Sequence, residues 1–418
     1  MAPDTAVAEK EIIEELQLKE KLTNEEYKIW KKLVPLLYDT IRSVLLDYPS
    51  LIVQWLGDYS YSDNKNLVKL RYLYGTNTLE KGANYLKLGE VALPLTLAPD
   101  FATVCPNADL VPIPLSQLDV ELPFSTVNRW KVPRELNRLR VLPDEVRAVA
   151  IDGEGIVHLF DLGNYDQLTF RYHKLEGQAV EWVDSELFLT GALDFHIALW
   201  DVAKPLTPIQ LFKSHDGPIN DLSLLRVHPL LFASVLDDYT TQWHDIRDKS
   251  STANPAIKVT NPQVQMAVAV HPELATVYAT AGRDNVVLLF DLRNPNQAFR
   301  ELHGHTDTVI GVRWDTHNDP MQLLLWALDK RVITWDLERL DTEFVYPTDE
   351  QQQLLKRGKQ SATKADPCLK FIHAGHTNRV NDVGIHPKVK GIYALVGEDN
   401  LLEVWKPKTL IERSHDEE

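Results

Sequence analysis

The sequence predicts an all-β protein, a seven-bladed WD-repeat β-propeller with an N-terminal α-helix packed on its side. Three observations carry that prediction. Short apolar strands alternate with polar turns through most of the chain, which is a sheet pattern. The stretch Leu302 to Asp336, LHGHTDTVIGVRWDTHNDPMQLLLWALDKRVITWD, opens near Gly304-His305 and runs through an alternating strand at Val309, Val312 and Trp314. It then turns at Asp329-Lys330 and ends on Trp335-Asp336. A Gly-His at the start and a Trp-Asp at the end mark one propeller blade of about 40 to 45 residues. Third, the residue six places before each terminal aromatic is acidic in six successive units: Glu154 (Phe160), Asp194 (Trp200), Asp237 (Trp243), Asp284 (Phe290), Asp329 (Trp335) and Asp399 (Trp405). An acid at that turn can hydrogen-bond the backbone or the Gly-His imidazole, a polar group too costly to bury alone.

In chain order, residues 1–21 read as a frayed helix or an acidic tail, with glutamates at Glu9, Glu11, Glu14 and Glu15. Thr23-Asn24-Glu25-Glu26 fits a capping box, so a helix is expected over 22–46. Tyr27, Trp30, Val34, Leu37, Tyr38, Ile41 and Leu45 recur at helical spacing and would pack on the propeller. Ile29, Leu33, Leu36 and Thr40 form a second, weaker stripe, either covered by a loop or offered to a partner; pattern alone leaves both open. Pro35 should kink the helix or restart it. The propeller is expected over 47–407. Leu67 to Tyr74 and Tyr85 to Leu93 lack the Trp-Asp ending and are expected to complete the final blade beside the C-terminal strands, closing the ring. Ala98 to Asp119 reads as a surface loop. Six repeats follow: Leu122 to Leu162, Leu168 to Val202, Ile209 to Ile246, Ile257 to Leu292, the stretch described above, and Leu369 to Lys406. An insertion over 338–366 carries the bases Lys356, Arg357, Lys359 and Lys364, and residues 408–418 form a C-terminal tail.

The formal net charge of −16 argues against direct DNA binding and suits either a basic partner or simple solubility. Only Cys105 and Cys368 occur, so neither a disulfide framework nor a cysteine-rich zinc site is expected. No apolar run of membrane-spanning length occurs, and a soluble nuclear or cytoplasmic protein is expected. Asp152-Gly153-Glu154-Gly155 lacks the following helix of a dinucleotide site. His303-Gly304-His305 and His373-Ala374-Gly375-His376 occupy repeat positions and read as structural histidines rather than metal ligands. There is no P-loop, His-Glu-x-x-His, nucleophile elbow or kinase signature, so a binding scaffold without catalysis or cofactor is expected.

EEYKIWKKLVPLLYD followed by DYPSLIVQWL closely resembles the N-terminal helix and first strand of the retinoblastoma-binding, MSI-like histone-binding WD-repeat family. Gly75-Thr76-Asn77-Thr78, Asn137-Arg138-Leu139-Arg140, Phe290 to Pro295, Phe371 to Thr377 and Glu398-Asp399-Asn400 extend the resemblance over about residues 22 to 407. It implies a non-enzymatic subunit, most like that of a type B histone acetyltransferase complex, which binds the first helix of histone four and histone three-four dimers. A catalytic acetyltransferase subunit or chromatin assembly factor subunits would be the other partners, with no membrane partner. Alternatives are the small subunit of chromatin assembly factor, or a propeller scaffold of another complex such as a ubiquitin-ligase substrate receptor. By the resemblance, the histone-four groove is formed by Ile29, Leu33, Leu36, Thr40, Asp366, Phe371, Ile372 and Leu401. A second site for a basic peptide, on the top face of the channel, would use Asp47, Glu135, Asn137, Arg138, Arg140 and Glu176. On that face Asn77, Gln178, Asn220, Gln265 and Thr308 depart from the family pattern, and the insertion has fewer acids than the family's loop.

Overall fold

The computed structural model describes residues 3–62, 67–94, 124–142, 146–340, 344, 346 and 366–408, with side chains from 14 onward except 16, 250 and 251. Seven four-stranded antiparallel sheets form a ring. Their inner strands are Val53–Tyr61, Leu136–Val141, Gly177–Trp182, Ile219–Leu224, Gln265–Val270, Val309–Asp315 and Val380–Ile385. Each inner strand lies beside the next, and the last lies beside the first. There Asp382 accepts a hydrogen bond from the Val53 amide at 3.0 Å, and Asn381 donates to the Ser50 carbonyl at 2.9 Å.

The sequence repeat and the sheet are out of step by one strand. Arg300–His303, at the head of the Leu302 to Asp336 repeat, is the outer strand of the preceding sheet, with His303 opposite Val286. The other three strands of that repeat belong to the next sheet, whose outer strand, Leu369–His373, begins the following repeat. Each repeat therefore interlocks two blades, and the third strand's aromatic closes the seam between them: Trp200, Trp335, Trp405 and Phe160 are fully buried.

Ring closure differs from the sequence expectation. Leu67–Gly75 and Asn84–Pro94 do not join the last blade; they are the two middle strands of a blade of their own, between Val53–Tyr61 and Phe124–Val132. The last blade is completed by Tyr38–Leu45, which pairs antiparallel with Leu401–Pro407, Ile41 opposite Trp405 and Val44 opposite Leu402. The helix therefore does not reach residue 46. It runs from Pro3 to Leu37, ending two residues after Pro35, whose ring blocks the preceding turn's hydrogen bond. The three-four spacing of Ile41 and Leu45 mimics a helix, but β-branched Thr40, Ile41 and Val44 suit an outer strand, and pairing with Leu401–Pro407 satisfies their backbone.

At its other end the helix absorbs the expected tail. Thr23 is not a cap: its hydroxyl donates to the Lys19 carbonyl, four residues back, at 3.0 Å inside a continuous 35-residue helix. The expected loop over 98–119 and the basic cluster Lys356, Arg357, Lys359 and Lys364 lie outside the described residues.

Three of the six turn acids act as expected, two hand the role to a neighbouring residue, and Asp284 keeps a buried Oδ1 with no hydrogen-bond partner among the described residues. Asp194, Asp329 and Asp399 each accept from a Gly-His-type imidazole (His173, His305, His376) and from the amide two residues on. The residue after each acid adopts positive φ, Phe195 at 69°, Lys330 at 70° and Asn400 at 62°, so the carboxylate locks a tight left-handed turn. In the blade of Phe160, buried Asp152 rather than Glu154 takes this role, bonding His158 at 2.9 Å and the Glu154 and Ile156 amides. In the blade of Trp243 the turn amide of Thr240 goes to Asp238, while Asp237 accepts from Asn220. One blade completes a four-residue relay: Trp200 donates to Thr190, Thr190 bonds His173 at 2.8 Å, and His173 bonds Asp194.

Candidate functional site

The helix packs one face and leaves another open. Tyr27, Trp30, Val34 and Leu37 join Tyr38, Phe371, Tyr393 and Trp405 in one apolar cluster on the side of the last two blades. A buried polar chain fixes the junction. The Trp30 indole donates to Tyr38 Oη at 2.9 Å, and Tyr38 meets His373 Nδ1 at 2.9 Å. On its other side His373 Nε2 lies 3.2 Å from Glu403, which accepts from Ser43 at 2.7 Å. Burial lowers the pKa of His373, opposed only in part by Glu403, so the imidazole is neutral. With Tyr38 donating to Nδ1, its proton sits on Nε2, facing the carboxylate. The chain ties the helix, the closing strand and both adjoining blades together.

Beside this packed face runs a line of exposed apolar side chains: Leu18, Leu22, Ile29, Leu33 and Leu36, with Ile29 at 59% and Leu36 at 68% exposure. At about 100° per residue they fall within a narrow sector next to the Trp30 face. Ile372, on the outer strand of the neighbouring blade, is also exposed, whereas Phe371 is half-buried between Tyr38 (rings 5.3 Å apart) and Trp405 (5.5 Å, stacked). Three expected groove residues stand differently. Thr40 lies on the closing strand and is buried, so it does not continue the helical stripe. The Asp366 side chain is 6% exposed and bound to Arg300 at 2.7 Å, which already supplies its counter-charge. Leu401 is half-buried and pairs with Leu45, at the far end of the closing strand from the helix C-terminus.

The expected top-face residues divide into two groups. Glu135 and Glu176 precede the inner strands of their blades and share one mouth of the channel, where Asn137 donates to Glu176 at 2.9 Å and staples the Gly177 carbonyl at 3.0 Å. Asp47, exposed after the closing strand, follows Leu46, whose amide bonds the Asn400 carbonyl of the turn on that face. Arg138 and Arg140 lie deeper in the channel instead. Arg138 pairs with Asp221 at 3.3 Å and Arg140 with Glu181 at 3.3 Å. Arg140 lines a cavity at the other mouth. At about 3.3 Å per residue, a five-residue step along an extended strand carries a side chain some 16 Å from Glu135.

Residues 25–95 match a family of histone-binding proteins described as RBBP4 or the C subunit of the CAF1 complex. That segment holds the exposed stripe from Ile29 onward, the closing strand and most of the first blade. Over its full span the chain is 31% identical to histone acetyltransferase type B subunit 2 of Schizosaccharomyces pombe, covering 98% of this chain and 95% of the relative. The Candida glabrata protein of the same name is 30% identical, covering 96% and 92%. The chain belongs to this histone-binding WD-repeat family. A Kluyveromyces lactis member, also 30% identical, covers 93% of each chain.

The N-terminal helix is bound to the propeller by groups whose role the sequence pattern does not reveal. His373 reads as a structural repeat histidine; in the fold it is the bridge from the helix to Glu403. The signal for that bridge is Glu403 itself, an acid between the buried Leu402 and Val404, two residues before Trp405. Among the described residues no group of histidine, cysteine and acidic side chains is placed to hold a metal ion, and no helix is long and apolar enough to cross a membrane.

Proposed function

We propose that the chain is a non-catalytic histone-binding subunit of a type B histone acetyltransferase complex, and that it holds the first helix of histone four against its N-terminal helix. The observation carrying this reading is the exposed stripe of Ile29, Leu33 and Leu36, with Ile372 also exposed on the outer strand of the neighbouring blade. A contiguous apolar line on a well-packed helix is the surface an amphipathic partner helix fits, with anchors at three- and four-residue spacing. The names of the relatives and the histone-binding description of residues 25–95 support the same partner. Histone three-four dimers would be carried through histone four, in the nucleus and in the cytoplasm before import. The net charge of −16 favours histone tails over DNA. With Asp366 engaged by Arg300, arginines of the histone helix would be met by other acids.

A second reading, a chromatin-assembly subunit, is favoured by the description of the matched family and uses the same groove. A labelled peptide of the first histone-four helix should bind the full chain one to one. Its association should slow as salt rises, because exposed charges are screened beyond about 8 Å at physiological ionic strength. Absence of saturable binding would refute the groove. Affinity purification that recovers an acetyltransferase subunit or assembly-factor subunits would decide between the two complexes.

A further inference from the structure

The channel mouth away from Glu135 and Glu176 opens into a cavity of about 290 Å³. Among the described residues its wall carries Arg140, Arg226 and Arg313 with the single carboxylate Glu181, and its apolar side includes Trp55, Trp182 and Trp314. In a chain of net charge −16 this is a positive island.

The charges there do not balance. Arg138 is matched by Asp221 and Arg313 by Asp382 at 3.4 Å, but Glu181 is shared, 3.3 Å from Arg140 and 3.1 Å from Arg226. Four guanidinium groups thus face three carboxylates. The deficit falls on Arg140 and Arg226, which share one carboxylate, and burial weighs on Arg313 as well. Arg140, despite burial, is held above its ordinary value by Glu181, Asp221 and Asp382. For Arg313, burial is opposed by Asp382 but reinforced by Arg140 and Arg138, and its pKa comes down to about 10. It stays charged at neutral pH, adding to the positive wall.

A second, independent observation concerns the indoles. Trp182 donates to the Arg140 carbonyl at 3.0 Å and Trp314 to the Ala269 carbonyl at 3.1 Å, each stapling its blade to the preceding one. Trp55 occupies the corresponding place in the first blade and is 2% exposed, yet its indole N–H has no partner among the described residues. A buried donor left unpaired is costly, and it lies in the wall of the same cavity.

We propose that this mouth is a binding pocket for a small organic anion, a single carboxylate or phosphate on an apolar or aromatic body. The guanidinium fork matches either head group in bidentate geometry, and one negative charge neutralises the surplus. The tryptophan and aliphatic wall takes the body, and the cavity's size, at the small end of ligand sites, limits the ligand to a compact molecule.

The test titrates the full-length protein at physiological salt with phenyl phosphate, benzoate, inorganic phosphate and benzyl alcohol, read by calorimetry and ligand-observed NMR. Saturable binding of phenyl phosphate or benzoate is expected, with inorganic phosphate and benzyl alcohol each weaker by about tenfold. The stronger of the two aromatic anions identifies the preferred head group. Arg226→Gln, at a side chain 44% exposed, should melt like the wild type and weaken the anion by about tenfold. Glu181→Gln removes the competing carboxylate and should tighten it. Failure of both aromatic anions to saturate overturns the proposal, as does binding unchanged by Arg226→Gln, or benzyl alcohol binding as well as phenyl phosphate. If Glu181→Gln does not fold, the Arg226→Gln comparison decides alone.

Discussion

Two substitutions on either side of the helix junction should separate binding from stability. Leu33 is 42% exposed and one turn from Ile29, so Leu33→Asp removes little buried surface. Its cost to the fold comes from lower helix propensity, about 0.5 kcal/mol, and from a negative charge near the helix C-terminus, about 0.5 kcal/mol more. The fold should therefore lose roughly 1 kcal/mol. Binding should lose far more, because a histone helix laid on the stripe would bury the new carboxylate without a partner. At about 2 kcal/mol or more, affinity for the histone-four peptide falls by at least about thirtyfold. Phe371→Ala should behave differently. Its ring sits between Tyr38 and Trp405 and is half-buried, so truncation should cost about 2 kcal/mol of stability, below the roughly 3 to 5 kcal/mol of a fully buried ring. It should also weaken binding if the ring anchors the partner. Melting temperature and peptide anisotropy, measured on both proteins, give the answer. A Leu33→Asp protein that melts normally and binds the peptide at wild-type affinity would refute the groove.

Deleting residues 1–45 exposes the edge of Leu401–Pro407 and should abolish the cooperative melting transition, whereas deleting only 1–15 should leave it; a cooperative transition of unchanged midpoint in the longer deletion would refute closure by Tyr38–Leu45. Thr190→Val leaves His173 Nε2 and the Trp200 indole unpaired in the core and should cost about 2 to 4 kcal/mol in chemical denaturation. Burial lowers His215 to about 3, His271 to about 4 and His386 to about 3, and the unfolded chain takes up their protons near pH 6.5. The stability they leave intact above that pH is therefore lost as pH falls, by about 2 kcal/mol per histidine at pH 5. His376 runs the other way: Asp399 and Glu403 outweigh burial and raise its pKa, so its contribution is fully present in acid and fades as pH rises through that raised value. Melting temperature measured from pH 7 to pH 5 should fall, and a flat profile would count against these burial effects.

The repeat, the blade count and the carboxylate–imidazole turns are legible in the chain alone, because each depends on residues a few places apart. Strand alternation, a Gly-His, an acid and a terminal Trp-Asp are local signals, and local hydrogen bonds execute them. The same pattern places Ile29, Leu33 and Leu36 on a face that the packed core does not use. Which strands share a sheet is settled only in the assembled ring. Tyr38–Leu45 carries helical spacing and strand-forming residues together, and the choice between them is made by the unpaired edge of a strand more than 350 residues away, Leu401–Pro407. The same distance hides the Trp30–Tyr38–His373–Glu403 chain. Shorter separations between blades hide the rest: Arg300 meets Asp366 66 residues on, and Arg138 and Arg140 descend into the channel to meet acids of later blades. A charged side chain's partner is set by which blades the ring brings face to face, and spacing along the chain carries no record of that.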